Sequence, residues 1–255
     1  MKIEGVEFKI KQRVIAQVND AYLEEGKIHF IVGKNGAGKT SLLKILSGLE
    51  KNYTGDIHFL GRNLSDWSTE DLAQRRAVLS QSNFNAFPIK VEELVMMGRY
   101  PYFKQNASQR DKEIVAEAIN LFNLDEFVGR DFLSLSGGER QRVLFAKCIA
   151  QVWGKEQHRK YLFLDEPLTY LDVEYQVQFL RLLHELIDRF NLTVVGVIHD
   201  INLAVNYGEN FLLMHKGKCV EQGSASEVLN LENMRKYFRV SPEVIASRSS
   251  NFFVF

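Results

Sequence analysis

Only two cysteines, Cys148 and Cys219, occur among the 255 residues. That is too few for a disulfide framework, and they form no metal-type cluster; the scarcity fits a reducing compartment. Histidine is sparse too, with six copies, so a histidine at a strand end is worth noting. An excess of one charge is missing: 32 Lys and Arg face 32 Asp and Glu. Nothing therefore argues for bulk electrostatic binding to nucleic acid or anionic lipid. Long apolar runs are missing as well, none approaching the ~18–20 residues of a membrane span. The opening MKIEGVEFKI alternates apolar and polar residues, where a signal peptide would carry an apolar core. If the protein works at a membrane, another chain must supply the spanning part.

What is there is an ordinary globular composition, 45% hydrophobic and 25% charged. The length suits one large α/β domain or two small ones. Residues 3–10 and 13–24 alternate as antiparallel strands with one wet face do. "IHFIV", Ile28 to Val32, is a short apolar run that ends at a glycine and predicts a buried strand. A helix from about Lys39 to Leu49 follows. Strands are predicted at 56–60 and at Arg76 to Ser80. From Asn83 to about Phe132 the spacing turns helical, and a further helix starts after Gly138. "YLFLD", Tyr161 to Asp165, and "TVVGVI", Thr193 to Ile198, predict two more buried strands around a helix at about 174–189. A hairpin is expected in "FLLMHKGKCVEQG", then short helices. Strand–helix–strand order implies a largely parallel sheet with crossover helices.

Gly33-Lys34-Asn35-Gly36-Ala37-Gly38-Lys39-Thr40 fits G-x-x-x-x-G-K-[ST] at every fixed position. The three glycines let the backbone curl with its N–H groups inward, where they and the helix N-terminus hold phosphates. Lys39 reaches the β- and γ-phosphates, and the Thr40 hydroxyl is a ligand for Mg²⁺. A mere strand-to-helix turn would also be glycine-rich. Here the match follows one predicted strand and opens one predicted helix, which is the context the motif requires.

"YLFLDEP" ends a buried strand with two carboxylates. Ligands of parallel sheets bind beyond the C-terminal strand ends. Asp165 would then hold Mg²⁺ beside the phosphate loop, and Glu166 would orient or deprotonate the attacking water. Alone, the pair reads equally well as solvated carboxylates at a loop start. A second cradle lies about a hundred residues after the first. "LSLSGGERQRV", Leu133 to Val143, sets a serine and two glycines before a helix, the pattern that offers N–H groups to an anion and also an N-cap.

With these motifs together the chain resembles the ATP-binding subunit of an ABC transporter, over essentially its whole length. The most specific element is Leu135-Ser136-Gly137-Gly138-Glu139, which matches the ABC signature. The resemblance implies a P-loop NTPase of ABC type: an α/β domain spanning 1–255, its mainly parallel core joined to an N-terminal antiparallel β subdomain, with a helical subdomain inserted at about 83–150. It implies ATP and Mg²⁺, and ATP hydrolysis coupled to transport. It also implies a head-to-tail homodimer in which each ATP lies between one copy's phosphate loop (Gly33 to Thr40, with Ser41) and the other's signature (Ser136 to Glu139). Gln81 resembles the Q-loop glutamine that contacts Mg²⁺ and the attacking water. His199 resembles the switch histidine near the γ-phosphate. Leu171-Asp172 resembles the D-loop, where the two copies meet. An integral membrane permease, indirectly a substrate-binding protein, no nucleic acid, and a peripheral place on the cytoplasmic face of the inner membrane complete the implication.

The chain departs from the family pattern in three places. Tyr170 stands where small residues are usual before Leu-Asp. Ser80 precedes Gln81 where many relatives have proline. The aromatic that stacks adenine falls by position on Ile10, with Phe8 nearby. "WSTEDLAQRRAVLSQ" and "FPIKVEELVMMGRYPYF" resemble iron-chelate and cobalamin importer ATPases, nearest to the haem branch, as does the insertion "QVWGKEQHRK". Arg99 and Tyr100 would lie near the groove that receives the permease. Haem, a ferric siderophore and cobalamin all stay open as cargo. So does a soluble ABC ATPase, such as an iron–sulfur cluster assembly factor.

Overall fold

The computed structural model describes residues 1–80, 88–103, 105–154, 159–241, 243–246 and 251–254. The chain opens with β1 (Lys2–Ile10), β2 (Arg13–Tyr22) and β3 (Ile28–Val32), followed by α1 (Lys39–Leu46). Next come β4 (Thr54–Phe59), β5 (Arg62–Asn63), α2 (Thr69–Arg75) and β6 (Arg76–Leu79). Three helices precede the next strand: α3 (Val91–Met96), α4 (Gln109–Leu121) and α5 (Gly137–Val152). The remainder alternates again: β7 (Lys160–Asp165), α6 (Val173–Phe190), β8 (Leu192–Val197), α7 (Ile201–Tyr207), β9 (Asn210–His215) and β10 (Lys218–Gly223).

Ten strands form one sheet in the order β5-β4-β1-β2-β10-β9-β3-β8-β7-β6. Its two halves differ. β9, β3, β8, β7 and β6 run parallel, while β1, β2, β4 and β5 pair antiparallel. The halves touch through β10, which meets β2 at the single pair Lys218 and Gln17. Every residue of β3, β7 and β8 is buried, as strands covered on both faces must be. Ile28, Phe30 and Val32 look into one apolar cluster with α5 and α6, and Ile31 looks into the other with α1. β1 and β2 bury only alternate stretches, which is why their sequence alternates.

Helix ends follow local chemistry. The sequence pattern would carry α1 to Leu49, yet it stops at Leu46, because Gly48 adopts φ +70° and terminates the helix in the left-handed conformation. α6 starts at the N-cap Asp172, whose side chain accepts from Tyr175 N at 2.9 Å. It buries Phe179, Leu180, Leu183, Leu186, Ile187 and Phe190 as one stripe. α4 and α5 each open on a serine capping box, Ser108 with Asp111 and Ser136 with Glu139. No helix among the described residues is long and apolar enough to cross a membrane.

Arg99, beside the groove residue Tyr100, is buried among the helices. Its Nε donates to Asp111 Oδ1 at 2.9 Å and an Nη to the Ala150 carbonyl at 2.7 Å. Burial alone would raise the Asp111 carboxyl; hydrogen bonds from Ser108 and Arg99 outweigh it and hold the group below its ordinary value. Removing one member of such a pair strands the other charge. Asp111→Ala is therefore expected to lower the unfolding free energy by about 3–5 kcal/mol, read by urea denaturation. An unchanged midpoint would show that Arg99 escapes to water.

Candidate functional site

The parallel strands end side by side, and their C-terminal loops supply the site. β3 runs into the phosphate loop, β7 ends at Asp165 and Glu166, and β8 leads to His199. A cavity of ≈480 Å³ lies among them, lined by Asn35, Gly36, Gly38, Lys39, Thr40 and Ser41, with Ile15, Glu166 and His199. Lys34 and Ala37 face a neighbouring cavity instead.

The glycines earn their positions by geometry. A Cβ at Gly33 would strike the Met214 carbonyl oxygen, and one at Gly38 the Ile15 carbonyl oxygen. Gly36, at φ +75°, has nothing within 4 Å of such a Cβ, so its backbone borders open space that a phosphate can fill. Lys39 is 5% exposed. Its Nζ donates to the carbonyls of Gly33 at 2.8 Å and Lys34 at 3.1 Å, and so bridges the loop. Burial pulls the ammonium below its ordinary value, against Glu166 and Asp165, which raise it.

Thr40 Oγ1 donates to Asp165 Oδ1 at 2.9 Å, joining the start of α1 to the end of β7. Burial pushes the Asp165 carboxyl up; the Thr40 hydrogen bond opposes the rise and Glu166 adds to it. A hydroxyl and a carboxylate brought together fit a hard cation that binds oxygen, such as Mg²⁺. Gln81, the remaining expected Mg²⁺ contact, lies outside the described residues.

The raised Asp165 pKa also fixes a sign. A carboxyl raised in the fold stabilises it only below the ordinary carboxylate pKa, and that contribution is lost as pH rises through the folded value. At neutral pH the charge at Asp165 therefore opposes folding. Asp165→Asn is expected to melt no lower than the parent without nucleotide at pH 7, yet to lose Mg²⁺-dependent gain in nucleotide affinity. A lower melting temperature would assign the carboxylate a structural role.

Glu166 sits at φ +50°, a left-handed conformation unusual for a non-glycine. Its Oε1 lies 2.6 Å from His199 Nε2. Backbone strain of this kind clusters at functional sites, and here it turns the carboxylate toward the cavity it shares with Lys39.

Ser136 to Glu139 do not line this cavity. Ser136 caps α5, its Oγ accepting from Glu139 N at 3.4 Å, and Glu139 Oε2 accepts from Ser136 N at 2.7 Å. That backbone bond holds the Glu139 carboxyl below its ordinary value. The signature instead meets the loop after Glu166. A Cβ on Gly137 would lie 3.3 Å from Tyr170 Cβ, and one on Gly138 3.1 Å from the Tyr170 carbonyl oxygen. Gln141 donates to the Pro167 carbonyl at 2.9 Å, and Gln176 to those of Leu168 and Leu171 at 3.3 and 3.0 Å. The sequence singled out neither Ile15 nor Gln141 as a site residue. Ile15 is one apolar residue of an alternating strand and carries no signal; Gln141 stood in view within Arg140-Gln141-Arg142. At the expected adenine position, Ile10 is 55% exposed, whereas Phe8 is buried in the core and has no free face to stack.

Residues 17–169 match the family described as ABC transporter. The hemin import ATP-binding protein HmuV of Escherichia coli O157:H7 is 38% identical over 204 residues, 80% of this chain and 78% of that protein. An inward-facing structure described as a metal-chelate type ABC transporter superposes with a TM-score of 0.79 at 26% identity, covering 100% of this chain and 95% of that one. The dimeric ATP-binding cassette MJ0796 bound to ADP and Pi shares the fold, with a TM-score of 0.74 at 24% identity over 88% of this chain and 97% of its own.

Proposed function

The chain belongs to the ABC transporter family, and on that premise we propose that it is the ATP-hydrolysing subunit of an importer that moves an iron chelate through a separate membrane permease. Haem is the favoured cargo, supported by the 38% identity to a hemin import ATP-binding protein. The observation that carries the ATPase reading is the convergence of Lys39, Thr40, Glu166 and His199 on one cavity at the strand ends, with Asp165 bonded to Thr40 and His199 to Glu166.

Each residue then has a task. The loop N–H groups and Lys39 hold the β- and γ-phosphates, and Lys39 exchanges its two carbonyl partners for phosphate oxygens. Thr40 and Asp165, with Gln81, would hold Mg²⁺, which when bound neutralises charge on the phosphate oxygens. Glu166 accepts a proton from the attacking water. His199 keeps the Glu166 carboxylate in place and stands near the γ-phosphate. Ser136, Gly137 and Gly138 of a second copy close over the same phosphate, and Glu139 secures their capped geometry. Two such sites form under two-fold symmetry. ATP closes the pair and hydrolysis reopens it, a two-state switch set by the γ-phosphate.

A groove of ≈500 Å³ among α3, α4 and the following turns supports the permease contact. It is lined by Glu93, Met96, Val115 and Ile119, together with Tyr100 and Val128, the last two 55% and 49% exposed. Exposed apolar residues gathered in one groove mark an interaction site.

The test is an affinity pull-down of the tagged chain from gently solubilised membranes of its host. A multi-span permease, whose companion binding protein takes up haem, is the expected result. A soluble iron–sulfur assembly partner with nothing from the membrane would overturn the importer reading and leave only the ATP chemistry.

A further inference from the structure

A second cavity of ≈620 Å³ borders the outside of the phosphate loop, and its charge is one-sided. It is lined by Arg13, Lys34, His215, Lys216 and Arg239 around Tyr237, with Asn35 and Gly36 shared with the phosphate cavity. Among the described residues, neither Arg13, Lys34, Lys216 nor Arg239 has a carboxylate within ion-pair distance, although 32 acidic residues balance the basic ones over the whole chain. Tyr237 Oη donates to Glu221 Oε1 at 3.5 Å, and no described acidic residue lines the cavity. Two of the cations stand on left-handed backbone, Lys216 at φ +49° and Arg239 at φ +58°. Such conformations cost energy in a non-glycine. Burial, then Lys216, Arg239 and Lys34, push the His215 imidazole below its ordinary value.

The opposite character is found at the loop after Glu166. Tyr170 and Val173 are each 75% exposed, the two most exposed large hydrophobic residues described. Asp172 and Glu174 flank them. Tyr170 is also held left-handed, at φ +71°, with its side chain against signature Gly137.

These placements are linked. If the signature of one copy covers the phosphate loop of another, as proposed above, whatever touches Gly137 approaches that loop's outer rim. The rim at Lys34, Asn35 and Gly36 is the wall of the basic cavity. We infer that Tyr170 of each copy enters the basic cavity of its partner, where the guanidinium groups of Arg13 and Arg239 take its ring face and the acidic neighbours Asp172 and Glu174 supply the missing counter-charge. The occupant is a second copy of this chain. A guanidinium over an aromatic face, desolvated by closure, is a favourable pairing, and opposite charges at the rim fix the register. The contact is isologous, so it occurs twice per dimer. A tyrosine in this place, where small residues are usual, then has a use: it gives the ATP-closed pair a direct protein–protein contact beside the nucleotide.

The inference rests on the trans arrangement, and the test separates the two. In a Glu166→Gln, Cys219→Ser background, Tyr170→Cys and Arg13→Cys are combined and treated with a short bis-maleimide linker, with and without ATP. Cys148 is buried and stays in place. The expected result is an ATP-dependent covalent dimer in the double variant and none in either single variant. A dimer that forms in ATP by size-exclusion chromatography but does not cross-link overturns the inference alone. Cross-linking by Tyr170→Cys alone also overturns it, because Tyr170 would then meet its own copy at the two-fold axis. Absence of any ATP-dependent dimer overturns the trans arrangement and the inference together. Independently, Arg13→Glu with Arg239→Glu should weaken ATP-dependent dimerisation about tenfold or more, with Glu174→Arg restoring part of the loss. Unchanged dimerisation would show that the cations do not face a partner.

Discussion

Glu166→Gln is expected to bind ATP as tightly as the parent, to accumulate as a closed dimer, and to hydrolyse roughly 10²–10⁴-fold more slowly. The substitution separates chemistry from structure. A glutamine oxygen still accepts from His199 Nε2, so the 2.6 Å contact and the backbone at φ +50° have no reason to change. What is lost is a carboxylate that can take a proton from water. Because reopening depends on removal of the γ-phosphate, the closed state then persists. Single-turnover hydrolysis and size-exclusion chromatography in ATP read the two effects separately. Hydrolysis at the parent rate would move the base elsewhere, since neither His199 nor Asp165 is altered by the change.

Lys39→Ala is expected to weaken ATP binding about ten- to a hundredfold, because charge-assisted hydrogen bonds are each worth roughly 1.5–3 kcal/mol. The ammonium is already positioned over the loop by the Gly33 and Lys34 carbonyls and is almost fully buried. Burial disfavours its charge, so the free protein gains little from it and the bound phosphate gains much. The variant should therefore keep its far-UV spectrum and melting temperature while losing nucleotide affinity, measured by calorimetric titration. Undiminished affinity would sink the phosphate-loop assignment. Loss of the fold would show that the two carbonyl contacts hold the loop.

Legibility followed burial. β3, β7 and β8 are buried at every residue, so their apolar runs stood out and their ends were found to within a residue or so. The phosphate loop, the acid pair and His199 all sit where those strands end, and their placement could be read along with the strands. α2 went unread because Leu72 is its only buried residue, which leaves no stripe to detect. The terminal pairing of Glu243–Ala246 with Asn251–Val254 also went unread, following a run expected to hold only short helices. The pairing of Arg99 with Asp111 went unread because Asp111 lies on the next helix, and nothing in the spacing joins them. The contact of Tyr170 with Gly137 depends on a left-handed backbone at Tyr170 and on two segments more than thirty residues apart. Neither leaves a pattern in sequence, although the unusual tyrosine itself was visible.

The trans arrangement of phosphate loop and signature is tested most directly by mixing two inactive chains. Ser136→Arg places a bulky cation at the cap of α5 and should block closure over the partner's phosphate while leaving the monomer folded. Lys39→Ala disables the phosphate loop. Each variant alone is expected to be inactive. In a mixed dimer both lesions fall on one composite site, and the other site combines an intact phosphate loop with an intact signature. Composite sites therefore predict ATP hydrolysis that appears only on mixing and scales with the mixed dimer formed. Sites built within one chain would leave the mixture as inactive as its parts, and that result would contradict the pairing of Lys39 in one copy with Ser136 in the other.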